Sequence, residues 1–365
     1  MDITNMNVPP VLNKDHSLEN WEEKRRSEVL QMFNELVFGV TPDSSANISF
    51  DMIDCDENAM EGKAVKKLIS IRLDAPRGFF SFQFTIFIPK DLGKKAPAFL
   101  LLCNRDESNI DSSREIKSDF WPAEYIISRG YATATFNVQD IDTDKDDAFK
   151  NGIHKYYEDV EHRSSDSWAT IAAWAFGASR VMDYLETDEL IDKDKVAVIG
   201  HSRGGKTALW CGSQDERFYY TISNNSGCTG AALSRGKKGE SVKQINSAFP
   251  YWFCENYKQF NDREEAMPFD QHMLLSLIAP RLLYVASASE DLWADPESEF
   301  VSCILASEVY EQYGIQGLQT NEMPQPDKPL QDGRIGYHIR TGEHNLTLYD
   351  WKCYIDFADR HINGF

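Results

Sequence analysis

Apolar residues run along this chain in two rhythms. Between residues 47 and 89 they fall in three stretches rich in β-branched and aromatic types, 47–53, 65–73 and 80–89. Turn sequences such as Ala75-Pro-Arg-Gly78 divide these stretches, which predicts an antiparallel meander. From residue 98 the rhythm changes. Short apolar runs at 98–103, 131–136, 195–200, 219–224, 281–286 and 335–339 alternate with segments of helical character at 121–128, 166–186, 206–211, 273–278, 297–313 and 350–361. That alternation predicts an α/β fold, a mostly parallel central sheet with helices on both faces and the meander as an antiparallel edge.

Ahead of the meander, residues 18–38 place Trp21, Val29, Leu30, Phe33, Leu36 and Val37 at helical spacing, and the residues before them read as a polar, extended arm. The expected organisation is therefore an arm and helix over residues 1–40, then one α/β domain over 41–365. Residues 226–269 break the alternation. They are Gly-rich early and aromatic later, and read as an insertion over the carboxyl end of the sheet, where ligands bind in such folds.

The turn after the run at 195–200 satisfies two unrelated motifs at once. Gly200, Ser202 and Gly204 spell G-x-S-x-G, the nucleophile elbow of α/β-hydrolases. Gly200, Gly205, Lys206 and Thr207 spell G-x-x-x-x-G-K-[ST], the phosphate-binding P-loop. Both need a strand, a sharp turn and a helix, so the rest of the chain must decide. A P-loop usually opens its domain and needs a nearby acid at a strand end for magnesium. Here strand candidates precede the motif, and Ser287 to Glu290 separate Asp291 from its apolar run. A hydrolase needs an acid and then a histidine after the nucleophile, because a serine hydroxyl attacks only when an oriented imidazole takes its proton. Ser202, Asp291 and His344 occur in that order, so the α/β-hydrolase expectation outweighs the P-loop. The backbone N–H of Arg203, next to the nucleophile, is a candidate oxyanion donor.

Composition narrows the partners. The chain has 365 residues and a net charge of −20, which argues against nucleic acid and anionic membrane surfaces. No apolar run approaches the ~20 residues of a membrane span. The seven cysteines are scattered with no C-x-x-C pair, so no metal site is expected, and Cys103 and Cys211 read as buried free thiols. No cofactor is implied. The first residues, Met1-Asp-Ile-Thr4, carry no signal-peptide pattern. As written the chain reads as cytoplasmic; a trimmed signal would make it secreted or periplasmic.

The stretch Gly200-His-Ser-Arg-Gly-Gly-Lys206 resembles the G-[CH]-S-R-x-G-K elbow of the glucuronoyl esterases, carbohydrate esterase family 15. The resemblance continues through Asn225-Ser-Gly-Cys-Thr-Gly230, Phe249-Pro-Tyr-Trp-Phe253, Pro268-Phe-Asp-Gln-His272, Ile278-Ala-Pro-Arg281, Ser289-Glu-Asp-Leu-Trp-Ala-Asp-Pro296 and Gly336-Tyr-His-Ile-Arg340, to Gly342-Glu-His344 and Asp350-Trp351. It runs from about residue 98 to the C-terminus and looks like the bacterial branch. It implies a serine carboxylesterase that cleaves the ester between 4-O-methyl-glucuronic acid on xylan and lignin alcohols. Its partner would be a glucuronoyl ester or glucuronoxylan fragment. The resemblance further implies that the Arg203 guanidinium serves the oxyanion, that Lys206 and Glu240 bind sugar hydroxyls, and that Trp293 covers the glucuronate ring. One departure stands out. Many members carry the triad acid as Glu in E-S-G-x-G-G, where this chain has Asn225. Asp291 is then the best acid, with Glu290 the alternative, and His344 is preferred over His338. An acetylxylan esterase or broad carboxylesterase on the same triad, a nucleotide-binding P-loop protein, and a non-catalytic carbohydrate binder remain the competing functions.

Overall fold

The computed structural model describes residues 7–12, 16–42, 47–236 and 238–362. The arm expected before residue 17 falls partly outside the described residues. The meander forms as β1 (Ile48–Asn58), β2 (Ala64–Ala75) and β3 (Gly78–Pro89). The alternating part supplies β4 (Ala96–Cys103), β5 (Ala132–Asn137), β6 (Ile191–His201), β7 (Phe218–Asn224), β8 (Leu282–Ala288) and β9 (Ile335–Arg340). They join in one sheet, in the order β1-β2-β3-β5-β4-β6-β7-β8-β9. The strands from β5 to β9 in that order run parallel, and β3 meets β5 antiparallel. This is the α/β-hydrolase arrangement expected from the sequence, with its antiparallel edge.

Burial explains the two rhythms. Every residue of β4, β5, β8 and β9 is buried, because helices cover both faces. One face packs the helices Thr170–Leu185, Arg203–Gln214 and Pro296–Gln312, and the other packs Ala123–Ser128 and Leu348–Ile362. β1 lies at the open edge and is mostly exposed. Its Asp51, Asp54, Asp56 and Glu57 guard that edge against pairing with another strand. The helical segment over residues 18–38 docks onto the first of these faces. Phe38 stacks on Trp210 at 4.4 Å between ring centroids, tying it to the helix after the elbow.

The elbow helix starts at Arg203, three residues before the expected 206. Gly204 and Gly205 weaken a helix in isolation, but here they are needed for close approach. A Cβ on Gly200 would lie 2.0 Å from the Gly204 carbonyl oxygen, and one on Gly205 would lie 3.1 Å from that of Asn224. Strand and helix therefore pack backbone to backbone around Ser202. Gly200→Ala cannot be accommodated without moving that turn, and overpacking of this kind costs about 3 kcal/mol. We expect a melting temperature several degrees below wild type, together with lost activity. An unchanged melting curve would contradict the packing described.

Candidate active site

β6 ends at His201, and the chain turns at Ser202 with φ 58° and ψ −123°. A non-glycine residue pays for such a conformation, of order 1–3 kcal/mol, and it recurs where function demands it. The Ser202 N–H donates to the Asn224 carbonyl at 2.8 Å, which anchors the turn to β7. The helix begins at the next residue, so the Arg203 N–H opens its N-terminus beside the serine.

Asp291 and His344 reach this turn from the ends of the neighbouring strands. Asp291 follows β8 by three residues and is buried. His344 lies in the loop after β9, and its Nδ1 bonds to Asp291 Oδ2 at 2.6 Å. Burial acts to raise the Asp291 carboxyl. The bonds from His344, from Asn225 and from the Ala294 N–H outweigh it and hold the group below the ordinary aspartate value. An ionised carboxylate can only accept, so His344 carries its proton on Nδ1 and presents Nε2 as the acceptor. Glu290, the alternative acid, is exposed.

Asn225 stands at the position where the family pattern has its acid. Its φ is 47°, its N–H donates to the Ala286 carbonyl at 2.7 Å, and its Nδ2 donates to Asp291 Oδ2 at 3.1 Å. The residue that cannot carry the charge thus binds the one that does.

Arg203 leaves the elbow over the segment 226–269. Its guanidinium lies 4.8 Å from the Trp252 ring and 5.4 Å from that of Phe249, and those two rings stack at 3.7 Å. Its Nη1 is held by Asp144. That carboxylate also accepts from Trp252 Nε1 at 2.8 Å and the Tyr251 hydroxyl at 3.1 Å. Arg203 Nε is buried with no hydrogen-bond partner among the described residues. Sequence reasoning missed Asp144, because five aspartates crowd residues 140–147 and nothing local singles one out.

Lys206, one turn along the helix, is only 4% exposed, and its Nζ donates to the Ser226 carbonyl. It is fixed inside the protein by the loop after β7. Trp293 stands 56% exposed on the rim. Its carbonyl accepts the Glu240 N–H at 3.0 Å, which joins the segment 226–269 to the loop after β8. Asp295 makes a second join, accepting the Lys238 N–H at 2.8 Å and capping the helix Pro296–Gln312. Ser202, Arg203, Lys206, Glu240, Asp291, Trp293 and His344 all line one cavity of about 360 Å³, with Asn225, Phe249 and Trp252 among its walls.

His338 lies elsewhere. It is fully buried in β9, with Nε2 2.9 Å from Asp350 Oδ1 and Nδ1 3.1 Å from the Tyr284 hydroxyl. Asp350 also accepts from Arg340 Nε at 3.1 Å and from Thr347 N–H and Oγ1, each at 2.7 Å. Arg340 in turn donates to the carbonyls of Glu343 and Asn345, on either side of His344. The His338–Asp350–Arg340 cluster therefore shapes the loop that carries His344.

Comparisons with known proteins point to one family. A family model described as "Glucuronyl esterase, fungi" matches residues 79–314. A carbohydrate esterase from an unknown prokaryotic organism is 41% identical, over 95% of this chain and 87% of that protein. A 4-O-methyl-glucuronoyl methylesterase of Hypocrea jecorina is 32% identical, over 51% of this chain and 42% of that one. Among solved structures, a glucuronoyl esterase from Solibacter usitatus superposes with a TM-score of 0.89 at 37% identity, covering 96% of this chain and 97% of that one. A promiscuous CE15 esterase from a marine bacterial metagenome gives 0.87 at 40% identity, covering 97% and 98%.

The His338 cluster makes stability depend on pH. Burial works against the charged ring, but the bond to Asp350 overrides it and pushes His338 up to about 9. Its folded value exceeds the unfolded ~6.5. The contribution is therefore complete below pH 6.5 and is lost as pH rises through 9. The melting-temperature gap between wild type and His338→Gln should shrink between pH 6.5 and 9.5. A gap equal at both ends would contradict the charged pair.

Proposed function

Because the chain belongs to the glucuronoyl esterase family, we propose that the Ser202 cavity cleaves esters of 4-O-methyl-glucuronic acid, as found on glucuronoxylan, through an acyl-enzyme. The protein is a carboxylic ester hydrolase. The observation that carries the assignment of roles is the pairing of two devices on either side of Ser202. His344 is oriented by an ionised Asp291. Arg203 keeps a buried Nε unpartnered while Asp144 holds its other end.

The chemistry follows from those positions. Ser202 Oγ attacks the ester carbonyl carbon as His344 Nε2 takes its proton. Asp291 stabilises the imidazolium that forms. The carbonyl oxygen gains the negative charge and meets the Arg203 N–H and the Arg203 side chain, a charged donor where many hydrolases use a second amide. The tetrahedral intermediate collapses, the C–O bond to the alcohol breaks, and His344 returns the proton to the departing alkoxide. Water then attacks the acyl-enzyme by the same route and releases the uronate. Lys206 and Glu240 would hold sugar hydroxyls and Trp293 would cover the ring, a reading supported by all three lining the Ser202 cavity. A substrate linked to a cell-wall polymer puts this work outside the cytoplasm, as a secreted or periplasmic enzyme.

A broader carboxylesterase activity is the second reading, favoured by the relative described as promiscuous at 40% identity. Lys206 separates the two, since it helps only a substrate with hydroxyls in reach. A hydrogen bond to a charged group contributes roughly 1.5–3 kcal/mol, about ten- to a hundredfold. Lys206→Ala should lower kcat/KM for benzyl glucuronate by about that factor and leave 4-nitrophenyl acetate hydrolysis nearly unchanged. Equal losses on both substrates would make Lys206 structural and favour the broad esterase. Ser202→Ala should abolish both activities with the fold intact. A variant retaining more than about a hundredth of the rate would rule out the acyl-enzyme.

A further inference from the structure

His201, the residue before the nucleophile, takes no part in the chemistry just described, yet it is fully buried against it. Its ring centroid lies 4.5 Å from that of His344, with 49° between the planes. Its Nδ1 is 2.6 Å from Asn224 Oδ1, and Asn224 Nδ2 donates to the Tyr354 hydroxyl at 2.7 Å. With the amide so placed, its oxygen can only accept. His201 Nδ1 therefore carries the proton, and Nε2 carries a lone pair. That Nε2 is buried without a hydrogen-bond partner among the described residues. An orphaned buried acceptor calls for an explanation.

The surroundings of His201 keep it uncharged. Phe120 meets it edge-on at 6.0 Å, with the Arg105 guanidinium 4.5 Å above the Phe120 ring. Burial first, then the charge of His344, hold His201 well below the ordinary imidazole value. Arg105 adds to this, while the bond to Asn224 and the charge of Asp350 oppose it. His344 must become a cation in each half of the reaction. A charged neighbour 4.5 Å away would resist that. His201, uncharged and packed against that ring, offers no such resistance.

We infer that His201 is a positioning residue, a second and uncharged imidazole that seats the His344 ring and stabilises the positive charge His344 takes up. The inference rests on the triad proposed above, but its test reads His201 itself. Imidazole ¹⁵N spectra of the wild-type enzyme between pH 5 and 9 should show His201 protonated on Nδ1 only and not titrating. A His201 that titrates in that range, or that carries its proton on Nε2, overturns the proposal even where Ser202→Ala upholds the triad.

His201→Phe keeps a flat ring and drops the lone pair. For benzyl glucuronate its kcat should fall about tenfold with KM unchanged. The acid limb of its kcat/KM profile should move down by about half a pH unit, because the His344 cation is less favoured. A limb that stays in place or moves up contradicts the inference whatever happens to kcat, since lost packing alone does not move it. Should the variant not fold, the wild-type spectra decide.

Discussion

The bond between His344 and a buried, ionised Asp291 is the constraint around which the rest of the site is arranged. A carboxylate in a protein interior is costly unless donors surround it. Here His344, Asn225 and the Ala294 N–H supply them. Those donors come from the loops after β9, β7 and β8. The site can therefore exist only where parallel strands end side by side. The sheet provides this directly, because β6, β7, β8 and β9 are consecutive neighbours. The exchange of an acid for Asn225 fits the same logic. Two carboxylates at that spot would repel, whereas an amide beside Asp291 gives it a hydrogen bond.

A second charge pair mirrors the first on the other side of Ser202. Arg203 at the helix start is unfavourable against the helix dipole. Asp144 compensates it at Nη1, while the buried Nε has no hydrogen-bond partner among the described residues. Phe249 and Trp252, stacked on each other, lie within 5.4 Å of the guanidinium carbon. The segment 226–269 thus supplies aromatic rings beside the cation, as well as Glu240 on the cavity wall.

Much of this was legible in the sequence. The strand-and-helix alternation, the antiparallel edge, the elbow and the order of Ser202, Asp291 and His344 follow from local pattern. Local pattern is enough there because each belongs to one element or to the loop just after it. The start of the elbow helix was misplaced, since helix propensity counts Gly204 and Gly205 against a helix and knows nothing of the backbone approach that requires them. Asp144, His201 and the donor role of Asn225 could not be read, because each acts across a long separation: Asp144 on Arg203, His201 on His344, Asn225 on Asp291. His338 and Asp350 are a similar case. Their charges matter through the loop geometry they impose, and neither residue lines the Ser202 cavity.

The role of Asp291 as the acid for His344 is open to direct test. The direct measurement is kcat for benzyl glucuronate in Asp291→Asn beside Glu290→Gln, with both variants confirmed folded. Loss of an orienting carboxylate can cost ~10⁴ in kcat. Asp291→Asn should fall by several orders of magnitude, and Glu290→Gln should stay within about tenfold of wild type. If Asp291→Asn keeps near-wild-type turnover while Glu290→Gln loses it, the acid is Glu290, and the site is organised differently from the arrangement described.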